Sequence, residues 1–125
     1  MSVLDASTLL AFLFREPGKE TVAGLLAGGL MSTVNLSELL GRFARDGRPT
    51  APLLARLQGA GLILVPFDVD QAARAADLLP ITRPLGLSLG DRACLALGLA
   101  RREAIYTADA AWKKLDLDLP IHVLR

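Results

Sequence analysis

Cysteine and histidine are almost missing from this sequence, at one residue each. With Cys94 alone, no internal disulfide forms and a cysteine metal site is excluded. Cys94 stands among Ala93, Leu95 and Leu97 and reads as a small core residue. With His122 alone, His-rich zinc sites are excluded and a Ser-His-Asp arrangement is weakened. Aromatic residues make up only 5%, which leaves few platforms for base stacking. No apolar run approaches the roughly 18 residues that a membrane-spanning helix needs. Asp5 falls where a signal peptide would carry positive charge, so export is not expected and a cytoplasmic protein is. The net charge of +1 argues neither for nor against a nucleic-acid partner. Catalysis, if present, must therefore rest on carboxylates and hydroxyls.

What is abundant is apolar surface: 52% of the 125 residues, above the usual share for one soluble domain. The length fits a single domain, residues 1–125, with a core of its own. The excess suggests that some apolar surface meets a partner or a second copy. Short strands are expected at residues 2–5, 30–33, 62–67, 104–106 and 121–124. Helices are expected at 6–14, 19–26, 34–46, from Pro49 and Pro52 to Gly59, at 68–79, and from Ser88 to the Arg101-Arg102-Glu103 break. Residues 80–86, with two prolines, read as a loop, and residues 112–118 as a short helix and turn. Five short strands alternating with helices describe a three-layer α/β domain with a mainly parallel, five-stranded sheet.

Four acids stand near strand-to-helix corners, where open α/β sheets gather their chemistry. Each also has a plain explanation. Asp5 would cap the helix that follows the first strand. Asp91 completes a capping box, Ser88-Leu89-Gly90-Asp91. Asp109 would cap the last helical segment, and Glu38 would pair with Arg42 one turn on. Acids that end strands one and four lie side by side if those strands are neighbours where the strand order reverses. A cluster of this kind repels itself, and without a cation some members would hold protons at neutral pH. A hard divalent ion, Mg²⁺ or Mn²⁺, removes that cost. The chemistry it suits is phosphodiester hydrolysis, in which metal activates water and steadies charge on the phosphate oxygens.

Four segments together resemble a known family: VLDASTLLAFLFREPG, STVNLSEL through Glu38, LGLSLGDRACLALGLA around Asp91, and YTADAAW. In order and spacing they are similar to PIN-domain ribonucleases, and within these to the VapC-type toxins of bacterial toxin–antitoxin pairs. The resemblance implies strand order 3-2-1-4-5. It implies that Asp5, Glu38, Asp91 and Asp109 form the acidic quartet that holds Mg²⁺ or Mn²⁺, with Asp5 and Asp91 the most direct ligands. Ser7 and Thr107 match the hydroxyls that orient the carboxylates or metal-bound water; the plain alternative is a helix-start hydroxyl bonded to backbone. It further implies an RNA substrate and an antitoxin that covers the groove and reaches the acids with a basic side chain, while the apolar excess suggests a homodimer.

Arg42, Arg45, Arg48 and Arg56 give the middle of the chain a basic lean that could hold an RNA backbone, although a solvated helix face explains them equally well. A receiver domain of a signalling pair has similar length, but it needs two adjacent acids at the first strand. A haloacid-dehalogenase-type phosphatase needs a second acid where Ser7 stands. The alternative from another class is a catalytically inactive, PIN-like protein-binding module.

Overall fold

The computed structural model describes residues 1–124. Its strands are β1 (Val3–Leu4), β2 (Leu30–Ser32), β3 (Ile63–Val65), β4 (Ile105–Thr107) and β5 (Ile121–Val123). All pair in parallel, in the order β3-β2-β1-β4-β5. This is the expected α/β architecture and strand order. It also rejects the receiver reading, since receivers use the order 2-1-3-4-5.

The helices are α1 (Ala6–Leu13), α2 (Lys19–Leu25), α3 (Thr33–Arg45), α4 (Ala51–Gly59), α5 (Val69–Asp77), α6 (Leu79–Thr82) and α7 (Leu89–Arg101). Consecutive strand residues point to opposite faces, and here each face has its own core. Val3, Leu30 and Ile105 pack with Leu95, Leu97 and Trp112 on one side. Leu4 and Met31 pack with Leu9, Val22, Leu39 and Leu57 on the other. Both faces being covered explains why β1 is apolar at both its positions instead of alternating.

Helix α7 is apolar nearly all round and runs through the interior, with residues 93–98 buried. Gly98 makes this possible: a Cβ there would run into the Ile105 side chain on β4. Two expectations need correction. Residues 80–86 are not an open loop. Pro80 opens α6, where a missing N–H costs nothing, and a 3-10 turn at Arg83–Leu85 follows, stopped by Gly86 at φ +70°. The buried Thr82 hydroxyl donates to the Leu78 carbonyl and holds this corner closed. The last helical segment is not a helix and turn over residues 112–118 but a 3-10 turn at Ala110–Lys114; Asp109 caps it, as expected. Among the described residues no helix is long and apolar enough to cross a membrane.

Candidate active site

Asp5 follows β1 and does what its plain reading predicts: its Oδ1 accepts from the Thr8 amide at 2.9 Å and caps α1. The same carboxylate is also fixed across the sheet. β1 pairs with β4 so that Leu4 faces Tyr106, which brings Asp5 opposite Thr107. The Thr107 hydroxyl donates to Asp5 Oδ2 at 2.6 Å, and the Ser7 hydroxyl donates to Oδ1 at 2.7 Å. Each hydroxyl in turn accepts a backbone N–H, from Asp109 at 3.1 Å and from Ala108 at 2.9 Å. Their own protons are thereby aimed at Asp5. The two hydroxyls lie 3.4 Å apart and complete a small network between the ends of β1 and β4.

Asp5 is only 4% exposed. Burial pushes its carboxyl from 3.8 up to about 6, against the pull of the hydrogen bonds from Thr107, Ser7 and the Thr8 amide; repulsion from Asp91 adds to the rise. Asp91 sits in the first turn of α7. Its Oδ2 accepts from the Ser88 amide at 2.8 Å while Ser88 Oγ accepts from the Asp91 amide at 3.2 Å, so the capping box is real. The expected Glu38–Arg42 pair does not form. Glu38, on α3, accepts instead from Asn35 Nδ2 at 2.9 Å, and Arg42 turns toward Asp46. The Glu38 carboxyl lies directly over Gly90, where a Cβ would collide with it.

The buried Cys94 thiol registers this convergence. Burial, followed by the charges of Asp5, Asp91 and Glu38, pushes its pKa well above the usual thiol value. It stays protonated and is no nucleophile. Asp109 stands at the rim. Its Oδ1 accepts from the Ala111 amide at 2.9 Å, and with Ser7, Phe14 and Arg42 it lines a recess of about 300 Å³. Among the described residues, none of the four carboxylates forms a salt bridge with a lysine or arginine.

Among the described residues, no three acids, histidines or cysteines form a ready cage for a metal ion. A small hard cation does not need one. Mg²⁺ keeps several waters and is held by one or two carboxylates. The donor set is oxygen only, and the buried Asp5 charge lacks a cationic partner, so the residues fit such an ion. Asp5, fixed at the end of β1 and repelled by Asp91, is the charge that such an ion would neutralise; Glu38 lies over the first turn of α7 and Asp109 stands at the rim.

The arginines separate into different surroundings. Arg42 lies over the Phe14 ring at 5.5 Å, and Arg48 over Phe14 at 5.6 Å and Phe43 at 5.5 Å. Arg56 lies 6.0 Å from the Phe12 ring centre, and Arg45 leans on Asp46 at 3.4 Å. Phe14 and Phe43 stack with centroids 6.1 Å apart. The sequence did not show this use of the few aromatics as supports for guanidinium groups, nor the contacts that Asn35 and Gly90 make with Glu38.

The PIN domain family model matches residues 2–117. No curated protein matches the chain by sequence. Solved structures are similar in fold. A chain of a toxin–antitoxin complex from Klebsiella pneumoniae has TM-score 0.75 at 12% identity, over 100% of this chain and 98% of that one. DNA-bound VapBC from Salmonella typhimurium gives 0.71 at 14% identity, over 99% and 98%. FitAcB from Neisseria gonorrhoeae gives 0.68 at 24% identity, again over 99% and 98%. With the family model covering almost its whole length and the sheet in the order that the four segments implied, the chain belongs to the PIN domain family.

Proposed function

We propose that this chain is a metal-dependent endoribonuclease that hydrolyses RNA phosphodiester bonds, and that it is the toxin of a type II toxin–antitoxin pair. The observation that carries the reading is Asp5, a buried carboxylate held in a fixed orientation, repelled by Asp91 and, among the described residues, without a lysine or arginine partner. Keeping such a group costs stability unless a positive charge arrives. Bound Mg²⁺ or Mn²⁺ would activate water and steady charge on the phosphate oxygens. Asp5 and Asp91 would hold that ion, Glu38 would contribute from α3, and Asp109 would close the fourth side. Ser7 and Thr107 keep both Asp5 oxygens aimed, each with its one proton. No protein nucleophile is needed: Cys94 is buried and protonated, and His122 of β5 is stacked on Tyr106 of β4 with ring centroids 4.7 Å apart.

Of the four arginines, Arg42 is the one best suited to grip a substrate phosphate, because it shares the recess with Ser7 and Asp109. Arg42→Ala is expected to raise KM about tenfold, about 1.4 kcal/mol, with kcat little changed. The salt dependence of log(kcat/KM) should become shallower by about 0.7, the loss of one single-strand phosphate contact. Arg45→Ala should do neither, and equal effects from both would leave only a diffuse basic field.

The 125 residues act in this reading as one PIN unit in the cytoplasm. Exposed Val69, Leu79, Ile81 and Leu89 support a homodimer. A groove of about 470 Å³ between α1, α2 and α4, bordered by Phe12, Leu13, Ala23 and Arg56, supports a docking place for an antitoxin segment. Those solved relatives that are toxin–antitoxin complexes support such a partner.

The test is purified protein with total RNA, in Mg²⁺, Mn²⁺ or chelator, with mapping of the cut ends. Defined fragments that vanish with chelator are expected. Affinity for Mn²⁺ should be flat above about pH 6 and fall roughly tenfold per pH unit below it, because the proton on Asp5 competes with the ion. A second reading also has an observation behind it: Asp91 and Asp109 each spend an oxygen on a helix cap, as in a silent protein-binding module. In that case neither RNA cleavage nor a Mn²⁺-dependent rise in Tm would be seen.

A further inference from the structure

We propose that Asn35 is a positioning residue that ties the Glu38 carboxylate to the first turn of α7 and so sets the gap between Glu38 and Asp91. The inference rests on the metal-dependent reading above. Asn35 lies one helical turn before Glu38 on α3 and is 1% exposed. Its Nδ2 donates to Glu38 Oε1 at 2.9 Å and to the Gly90 carbonyl, 55 residues away, also at 2.9 Å. Both amide protons are spent on acceptors, so the orientation of the amide is fixed. Turned over, it would set Oδ1 against two oxygens.

Packing does not explain the choice of residue. Asn35 Oδ1 is buried without a hydrogen-bond partner, an arrangement that weakens the fold. A leucine of similar size would fill the space without that cost. What leucine lacks is the pair of N–H donors joining Glu38 to α7. Gly90 is the other half of the device, because any side chain there would push the Glu38 carboxyl off the helix. Glu38 is otherwise on an exposed helix face, where an untethered side chain would sample several rotamers. The next residue after Gly90 is Asp91, so this contact fixes one carboxylate relative to the other.

The test is calorimetric titration of metal-free protein with Mn²⁺, with melting of the same samples before metal is added. The variants are Asn35→Leu, Gly90→Ala, Glu38→Gln and the double Asn35→Leu/Glu38→Gln. Asn35→Leu and Gly90→Ala should each weaken Mn²⁺ binding about 10- to 100-fold. Their metal-free Tm should match or exceed that of the parent: the first removes an unpaired buried oxygen, and the second replaces a helical glycine by the best helix former. The double variant should bind Mn²⁺ no more weakly than Glu38→Gln alone, since both changes remove one unit. Parent-like Mn²⁺ binding in both single variants overturns the proposal, as do losses that add in the double. So does a metal-free Tm that falls in step with affinity in both, which would make Asn35 an ordinary interior residue. A parent protein that binds no Mn²⁺ fails at the earlier step, the metal reading itself, and is told apart because Asn35 then changes nothing.

Discussion

Asp5→Asn is expected to end hydrolysis and, at the same time, to make the metal-free protein more stable at pH 7. Loss of a ligand forfeits several kcal/mol of charge stabilisation in the transition state, so activity should fall about 10³-fold or more. The stability change has the opposite sign. In the folded, metal-free state the carboxyl sits at about 6, above its ordinary 3.8, chiefly through burial. A raised value means that the folded state holds the proton more tightly than the unfolded chain. The stability this contributes is complete below about pH 4 and is lost as pH climbs through about 6. At pH 7 the deficit is about 3 kcal/mol, and a neutral side chain avoids it. Asparagine keeps an acceptor for the Thr8 amide and offers an N–H to the Thr107 hydroxyl, so most of the network survives. A gain of about 1–3 kcal/mol, or roughly 3–10 °C in Tm, is expected at pH 7 and almost none at pH 4. Melting of both proteins across that range in chelator is the measurement. If the parent were the more stable at pH 7, Asp5 would not be a strained charge, and the case for a cation there would fall with it.

Changes at Asp91 are expected to abolish hydrolysis alike but to differ in stability. On the proposed reading Asp91 has two tasks, one local and one at the site. Locally its Oδ2 accepts from the Ser88 amide, closing the first turn of α7. Asp91→Asn retains an oxygen for this bond, whereas Asp91→Ala leaves the amide without its partner and should cost about 1 kcal/mol. Both remove a carboxylate that faces Asp5, so both should lower activity about 10³-fold or more. Ser88→Ala is the complementary control: it removes the hydroxyl that accepts from the Asp91 amide and should cost about 1 kcal/mol, with hydrolysis kept within a few-fold. Cleavage assays and metal-free melting on the three variants separate the two tasks. Asp91→Ala with near-parent cleavage would reduce Asp91 to a helix cap.

The caps show how far the chain could be read without coordinates. Asp5, Asp109 and the Ser88/Asp91 box depend on contacts within three residues, and such relations are written directly in the sequence. The strands were legible for a similar reason: Val3-Leu4 and Leu30-Met31 are short apolar runs bounded by helix starts. The corner at residues 80–86 was not, because prolines that break a helix also open one, and burial of Thr82 decides between the two.

The sequence by itself determined which residue types were available for chemistry, carboxylates and hydroxyls with one histidine and one buried thiol, and where helices begin. Tertiary structure alone decided what those residues do. Asp5 meets Thr107 across 102 positions because β1 lies beside β4. Asn35 meets Gly90 across 55 because α3 packs on α7. Arg42 is set apart from Arg45 by the Phe14 ring and the recess beside Ser7. The physical reason is range: hydropathy period and capping act over a few residues, whereas burial of a charge and the spacing of two carboxylates are set by the order in which strands are laid side by side.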